Sequence, residues 1–143
     1  MMVKGSQDQD DGAELPHFGA TLGFEHRESP MGMAIIELKL KQEHCNRQGT
    51  VHGGVLLSLM DTAGLWANAP EDGSMPAAAT ASLNCNFLRG ARLAKVASLR
   101  AESQVTKRGK AIYFSTVSVY ACPDEELIAT GQGVFSIAVQ RQE

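Results

Sequence analysis

The 143-residue sequence has no apolar run of the roughly 20 residues that a helix needs to cross a bilayer. It has no excess of positive charge either. Thirteen Lys and Arg stand against 16 Asp and Glu, and a net charge of −3 argues against a nucleic-acid-binding surface. Neither a membrane nor a nucleic acid is expected as a partner. Cysteine is scarce: Cys45, Cys85 and Cys122 are odd in number and lack C-x-x-C spacing, which points to reduced thiols. The N-terminal residues lack the apolar stretch of a signal peptide, so a cytoplasmic location is expected. His44, Cys45 and His52 do not follow common zinc spacings, and no metal site is expected. Residues 1–14 are polar and acidic, with no large apolar residue between Val3 and residue 15, and suggest a disordered tail. Residues 15–143 suffice for a single domain with a proper core.

What the sequence does have is concentrated in residues 46–69. A polar loop turns at Gly49, passes through His52-Gly53-Gly54 and continues as about four turns of apolar helix, ended by Pro70 and Gly73. Leu56, Leu59, Met60, Ala63, Trp66 and Ala67 form one stripe, leaving Ser58, Asp61, Thr62 and Leu65 on the other side. A lone Asp on such a helix is ordinarily a solvated acid. Here its neighbours are small or apolar, as on a helix covered on both sides, which suggests a subunit interface. Gly53 and Gly54 fall at the helix start, where unpaired N–H groups carry partial positive charge. Such an end can hold an anion or a developing oxyanion, or simply make a tight turn. Asp61 lies eight residues beyond Gly53, about 12 Å along a helix. One helix cannot bring both groups to one reacting atom. Two antiparallel copies across a two-fold axis can.

Around this helix the pattern predicts strands. Residues 17–29 suggest an edge strand, and residues 31–40 a better one, with Ala34, Ile36, Leu38 and Leu40 alternating against polar or outward positions. Four further segments follow at 77–88, 93–106, 111–121 and 127–139, joined by short turns at Lys107-Arg108-Gly109-Lys110 and Cys122-Pro123-Asp124-Glu125. Two strands, a long helix and an antiparallel meander make an α+β pattern.

The motif Asn46-x-x-Gly49-x-x-His52-Gly53-Gly54 with Asp61 resembles the signature of hotdog-fold acyl-CoA thioesterases. Within them it is most similar to the phenylacetate-pathway and Arthrobacter-type 4-hydroxybenzoyl-CoA subgroup. The likeness spans most of residues 16–140. It implies a hotdog fold, an antiparallel sheet wrapped around one central helix, and an acyl-CoA substrate with no cofactor beyond the CoA that the substrate carries. It also implies a homodimer at minimum and a homotetramer by likeness.

On this reading the Gly53 N–H, with Gly54 beside it, stabilises the thioester oxyanion. Asp61 is the general base or the nucleophile, in an interface free of other charges. In the resembling enzymes a Ser or Thr at the position of Thr80 holds the attacking water or orients the carboxylate; Ser82, expected on the same strand face, is a weaker candidate. His52 and Asn46 would donate to the thioester or fix the loop. Phe18 and Phe24 would lie near the acyl pocket or pack in the core. Arg89, Lys107 and Arg108 are the candidates for the CoA phosphates. The alternative is a non-catalytic acyl-CoA-binding or regulatory hotdog protein, since a fold alone does not fix function.

Overall fold

The computed structural model describes residues 1–3, 5 and 15–138. In chain order the elements are β1 (Met2–Val3), α1 (Phe18–Leu22), β2 (Glu25–Arg27), β3 (Ser29–Pro30), β4 (Met33–Lys39), a 3₁₀ turn (Gln42–His44), α2 (Gly53–Trp66), β5 (Ala78–Phe87), β6 (Ser98–Arg108), β7 (Ile112–Cys122) and β8 (Glu126–Ile137). Six strands form one antiparallel sheet in the order β2-β4-β6-β7-β8-β5, and β1 pairs with β3 in a separate two-stranded ribbon. The helix α2 packs across β4 to β8. A sheet folded around one central helix is the expected α+β architecture.

Alternation explains which face turns inward. Ala34, Ile36 and Leu38 of β4, Leu99, Ala101 and Ser103 of β6, and Tyr113, Ser115, Val117 and Val119 of β7 are all buried. Most of these meet Leu56, Leu59, Met60 and Ala63 of α2 in one core.

Burying a helix end strands its last carbonyls unless something donates to them. Backbone N–H groups of Ala67 and Asn68 donate to Ala63 O and Leu65 O, and three side chains from the sheet add to these in succession. Ser103 Oγ donates to Ala63 O (2.6 Å), Ser115 Oγ to Gly64 O (2.8 Å) and Tyr113 OH to Leu65 O (2.7 Å). Burial pushes the Tyr113 hydroxyl up to about 12, so it stays a donor at any physiological pH.

Four expectations need correction. Residues 17–29 are not one edge strand. His17 Nδ1 accepts from the Ala20 N–H and starts the short α1, and Gly23, in the left-handed region at φ 92°, stops it. Phe18 and Leu22 are four apart, a helical spacing, and Phe18 is exposed rather than packed in the core, whereas Phe24 packs against it. The helix α2 ends at Trp66, short of Pro70, through tighter bonds from Asn68 N–H to Leu65 O and from Ala69 N–H to Trp66 O. The strand expected from residue 93 starts at Ser98, because Leu93 donates instead to Gly49 O in the loop before α2. Finally, Met2–Val3 pairs with Ser29–Pro30 and Val3 is buried, so the suggested tail at 1–14 does not begin at residue 1; residues 6–14 lie outside the described residues.

Gly64 marks the closest approach of helix to sheet. A Cβ there would lie 2.8 Å from Phe135 Cζ and 3.2 Å from its Cε2, and the ring is fully buried and stacked on Tyr113 at 5.1 Å. Gly64→Ala is therefore expected to lower stability by about 1–3 kcal/mol, despite alanine's better helix propensity, as overpacking does. Denaturant unfolding of the variant checks this.

Candidate active site

The loop entering α2 is built on Asn46. Its Oδ1 accepts from the N–H groups of Gln48 (2.9 Å) and Thr50 (3.2 Å), and its own N–H donates to Thr50 O (2.8 Å). Gly49 closes the turn at φ 77°, a conformation that favours glycine. Of the two roles foreseen for Asn46, fixing the loop is the one its carbonyl oxygen performs here. Neighbouring segments clamp the same loop: the Val51 N–H donates to Ala91 O (2.8 Å) and the His52 N–H to His44 O (2.9 Å). The buried His44 has both ring nitrogens engaged. Nδ1 accepts from the Lys41 N–H and Nε2 lies 2.7 Å from Leu22 O, so the proton sits on Nε2.

His52 is the N-cap of α2. Its Nδ1 accepts from the Gly54 N–H at 2.8 Å, which satisfies one of the unpaired donors at the helix start. The two glycines now separate by cause. A Cβ on Gly54 would sit 2.9 Å from His52 Nδ1, so glycine there makes room for the capping ring. A Cβ on Gly53 would meet only the Phe87 ring, at an ordinary 3.7 Å, and Gly53 is not among the glycines with positive φ. The protomer's own packing gives no reason for glycine at 53. The Gly53 N–H also finds no acceptor among the described residues, whereas the Gly54 N–H is already taken.

Asp61 lies on the same ridge of α2, two steps of four residues from Gly53 with the exposed Leu57 between them. It is partly buried and accepts a short hydrogen bond from Thr80 Oγ1 to Oδ1 (2.6 Å). The bond exists because β5 contains a bulge: Thr80 pairs with Phe135 but Ser82 with Val134, leaving Ala81 as the extra residue. Directly opposed residues share a face. Thr80 therefore lies on the face of the buried Phe135, beside α2, while Ser82 is turned to the outer face, contrary to expectation. Beyond the bulge Leu83, Cys85 and Phe87 return to the helix side. Phe87 then stands over Gly53, half exposed, and Cys85 Sγ packs against Gly131, where a Cβ would lie 3.3 Å from it. Burial first, and the Asp61 charge second, push the Cys85 thiol above its usual range, so it remains protonated. Neither Phe87 nor Cys85 was foreseen as part of the site; only the displaced alternation after Ala81 could have signalled them.

The comparisons decide the family. The Thioesterase superfamily pattern matches residues 48–128, which hold the His-Gly-Gly helix start, Asp61 and Thr80. The chain belongs to the thioesterase superfamily. Human acyl-coenzyme A thioesterase 13 is 30% identical over 101 residues, covering 71% of this chain and 70% of that protein. Among solved structures, zebrafish thioesterase superfamily member 2 is 26% identical with a TM-score of 0.74, over 88% of this chain and 90% of that one. The PaaI protein of the E. coli phenylacetic acid degradation operon shares the fold with a TM-score of 0.72 at 24% identity, over 85% of this chain and 83% of that one. The fold of this thioesterase is thus the hotdog arrangement, and its family chemistry is thioester hydrolysis.

The basic residues expected to act together are separated. Arg89 follows β5 where Phe87 pairs with Ala129, and it is held by Glu126 at 2.8 Å. Lys107 and Arg108 pair with Phe114 and Tyr113, at the other end of the sheet beside Phe135. No helix among the described residues is long and apolar enough to cross a membrane.

Two substitutions test the helix start. His52→Ala is expected to cost about 1 kcal/mol through the lost cap, although the ring is exposed. Gly53→Ala is expected to leave the melting temperature unchanged or slightly higher, since nothing in the protomer opposes the methyl group. Thermal melts of both variants read the difference.

Proposed function

We propose that this thioesterase hydrolyses an acyl-CoA, with an aryl or medium-chain acyl group, to the free acid and CoA. In this reading it works as a homodimer at minimum, assembled as a homotetramer, and belongs with the phenylacetate-pathway and Arthrobacter-type enzymes. The reading rests above all on one ridge of α2 that carries an unpaired glycine amide at one end and a hydrogen-bonded carboxylate eight residues on. The thioester carbonyl would accept from the Gly53 N–H of one protomer. Asp61 of the other would attack the carbonyl carbon or take a proton from the attacking water. Thr80 fixes Asp61 through Oδ1 and so orients Oδ2 for that task. His52 contributes by capping, and its hold on the Gly54 N–H narrows the oxyanion donor to Gly53.

Two features support the shared site. Gly53 and Asp61 are about 12 Å apart along one helix, too far for a single carbonyl group. The strand β5 beside them is an edge strand of ten residues, Ala78–Phe87, without charge or proline. Natural edges are commonly guarded by charge, proline or a covering element, and this one has none of its own. Pairing with a second β5 would cover it and lay the two α2 ridges alongside each other.

Asp61→Asn is expected to lower kcat by roughly 10²–10⁴ with the fold retained, as loss of a positioned base does. Gly53→Ala should abolish turnover without lowering the melting temperature, and Thr80→Ala should fall between it and wild type. Free-thiol release from short, aromatic and long acyl-CoAs is the readout, with light scattering for subunit number. A wild-type protein silent on the whole panel yet binding CoA would establish the non-catalytic alternative instead.

A further inference from the structure

The segment between β5 and β6 carries two cations that no carboxylate occupies. Residues 92–95 form a tight turn in which the Lys95 and Val96 N–H groups both donate to Arg92 O at 2.9 Å, placing Arg92 and Lys95 three residues apart on one turn. Both side chains line a cleft of about 390 Å³ together with Thr50, Gly90, Asp124 and Glu126. Arg92 also borders a second cleft, of about 340 Å³, with Gln42 and Gln48. Glu126 is held by Arg89 at 2.8 Å. Neither Arg92 nor Lys95 makes an ion pair among the described residues. The cleft therefore offers two uncommitted cations against one uncommitted acid, Asp124, while Arg89 has its charge matched.

The turn is fastened to the catalytic loop. Thr50 and Arg92 form an antiparallel bridge, the Val51 N–H donates to Ala91 O and the Leu93 N–H to Gly49 O. Gly90 keeps the approach tight, since a Cβ there would lie 3.2 Å from Thr50 Cγ2. Only three peptide units join Thr50 to Gly53, at most about 11 Å of chain. A thioester seated at Gly53 thus has the mouth of this cleft on the same protomer within reach of its CoA arm. Lys107–Arg108, at the far end of the sheet, do not share that position, and Arg89, at its edge beside Gly90, is opposed by Glu126.

We propose that Arg92 and Lys95 hold a phosphate group of the coenzyme A nucleotide, in the place first given to Arg89, Lys107 and Arg108. The assignment rests on the acyl-CoA reading above. It makes these two residues determinants of carrier specificity, distinguishing CoA thioesters from thioesters that lack the nucleotide. They take no part in bond breaking.

The test compares wild type with the double variant Arg92→Gln/Lys95→Gln on benzoyl-CoA and octanoyl-CoA, and on the same acyl groups carried by N-acetylcysteamine, which has no phosphate. For the CoA thioesters KM should rise about ten-fold or more with kcat little changed, as loss of two charge-assisted contacts predicts. Hydrolysis of the N-acetylcysteamine thioesters should not change. Titration calorimetry with CoA alone should show the same weakening, and Lys107→Gln/Arg108→Gln should behave as wild type. Dephospho-CoA thioesters tell the sources apart: if their KM still responds to the double substitution, the diphosphate is the group held, and if not, the 3′-phosphate is. An unchanged KM and an unchanged CoA affinity, with the short thioesters turned over normally, would overturn the assignment, as would a loss carried by Lys107 and Arg108 instead. Should wild type hydrolyse neither class, the hydrolytic reading fails by itself, and calorimetry with CoA still decides whether Arg92 and Lys95 bind it.

Discussion

A helix placed inside a sheet must put at least one of its polar ends where water cannot reach. The three hydroxyl groups that close the C-terminal end of α2 meet this demand, and much else follows from them. Ser103, Ser115 and Tyr113 donate to three consecutive carbonyls, 63 to 65, from two neighbouring strands. Ala63 O and Leu65 O also accept from the Ala67 and Asn68 N–H groups, so the hydroxyl counts most at Gly64 O, where an unmatched buried carbonyl would cost about 1–3 kcal/mol. With that end sealed, the opposite end can remain partly open. His52 takes one amide, and among the described residues the Gly53 N–H finds no acceptor. The chemistry proposed above uses the end of the helix that the fold does not need to close.

The second determinant is local to β5. Without the extra residue at Ala81, an alternating strand would turn Thr80, Ser82, Asn84 and Asn86 to one face. The bulge breaks that row, so that Thr80 reaches Asp61 while Leu83, Cys85 and Phe87 share its side of the sheet. One inserted residue thus gives the carboxylate a hydroxyl partner at one end and Gly53 an aromatic cover at the other.

Much of this was legible in the sequence because it depends on short-range pattern. The helical stripe, the glycines at its start and the paired face of β4 all follow from spacing within one element, and each lies where the residues say. Thr80 was nominated as a partner of the attacking water or of the carboxylate, and it is bonded to Asp61. What was not legible depends on partners, near in the chain or far, that spacing within one element does not name. That the Asn46 side-chain oxygen holds the loop emerges only from the N–H groups of Gln48 and Thr50 together with the turn at Gly49. Arg89 reads as an uncommitted cation until Glu126 is found beside it. The side reached by Ser82 depends on a register shift against β8, which alternation in β5 alone cannot reveal. The short α1 was missed because two aromatic residues and two glycines suit a strand as well as a capped single turn, and the deciding bond comes from a His17 side chain.

The lack of charge along Ala78–Phe87 has a consequence for how the chain can be handled and varied. Bare amide and carbonyl groups on an uncharged ribbon adhere to any extended segment they meet. The partnership proposed for catalysis would then also serve as a shield against precipitation, and a lysine introduced there to improve solubility would weaken the very seam on which the proposed active centre depends.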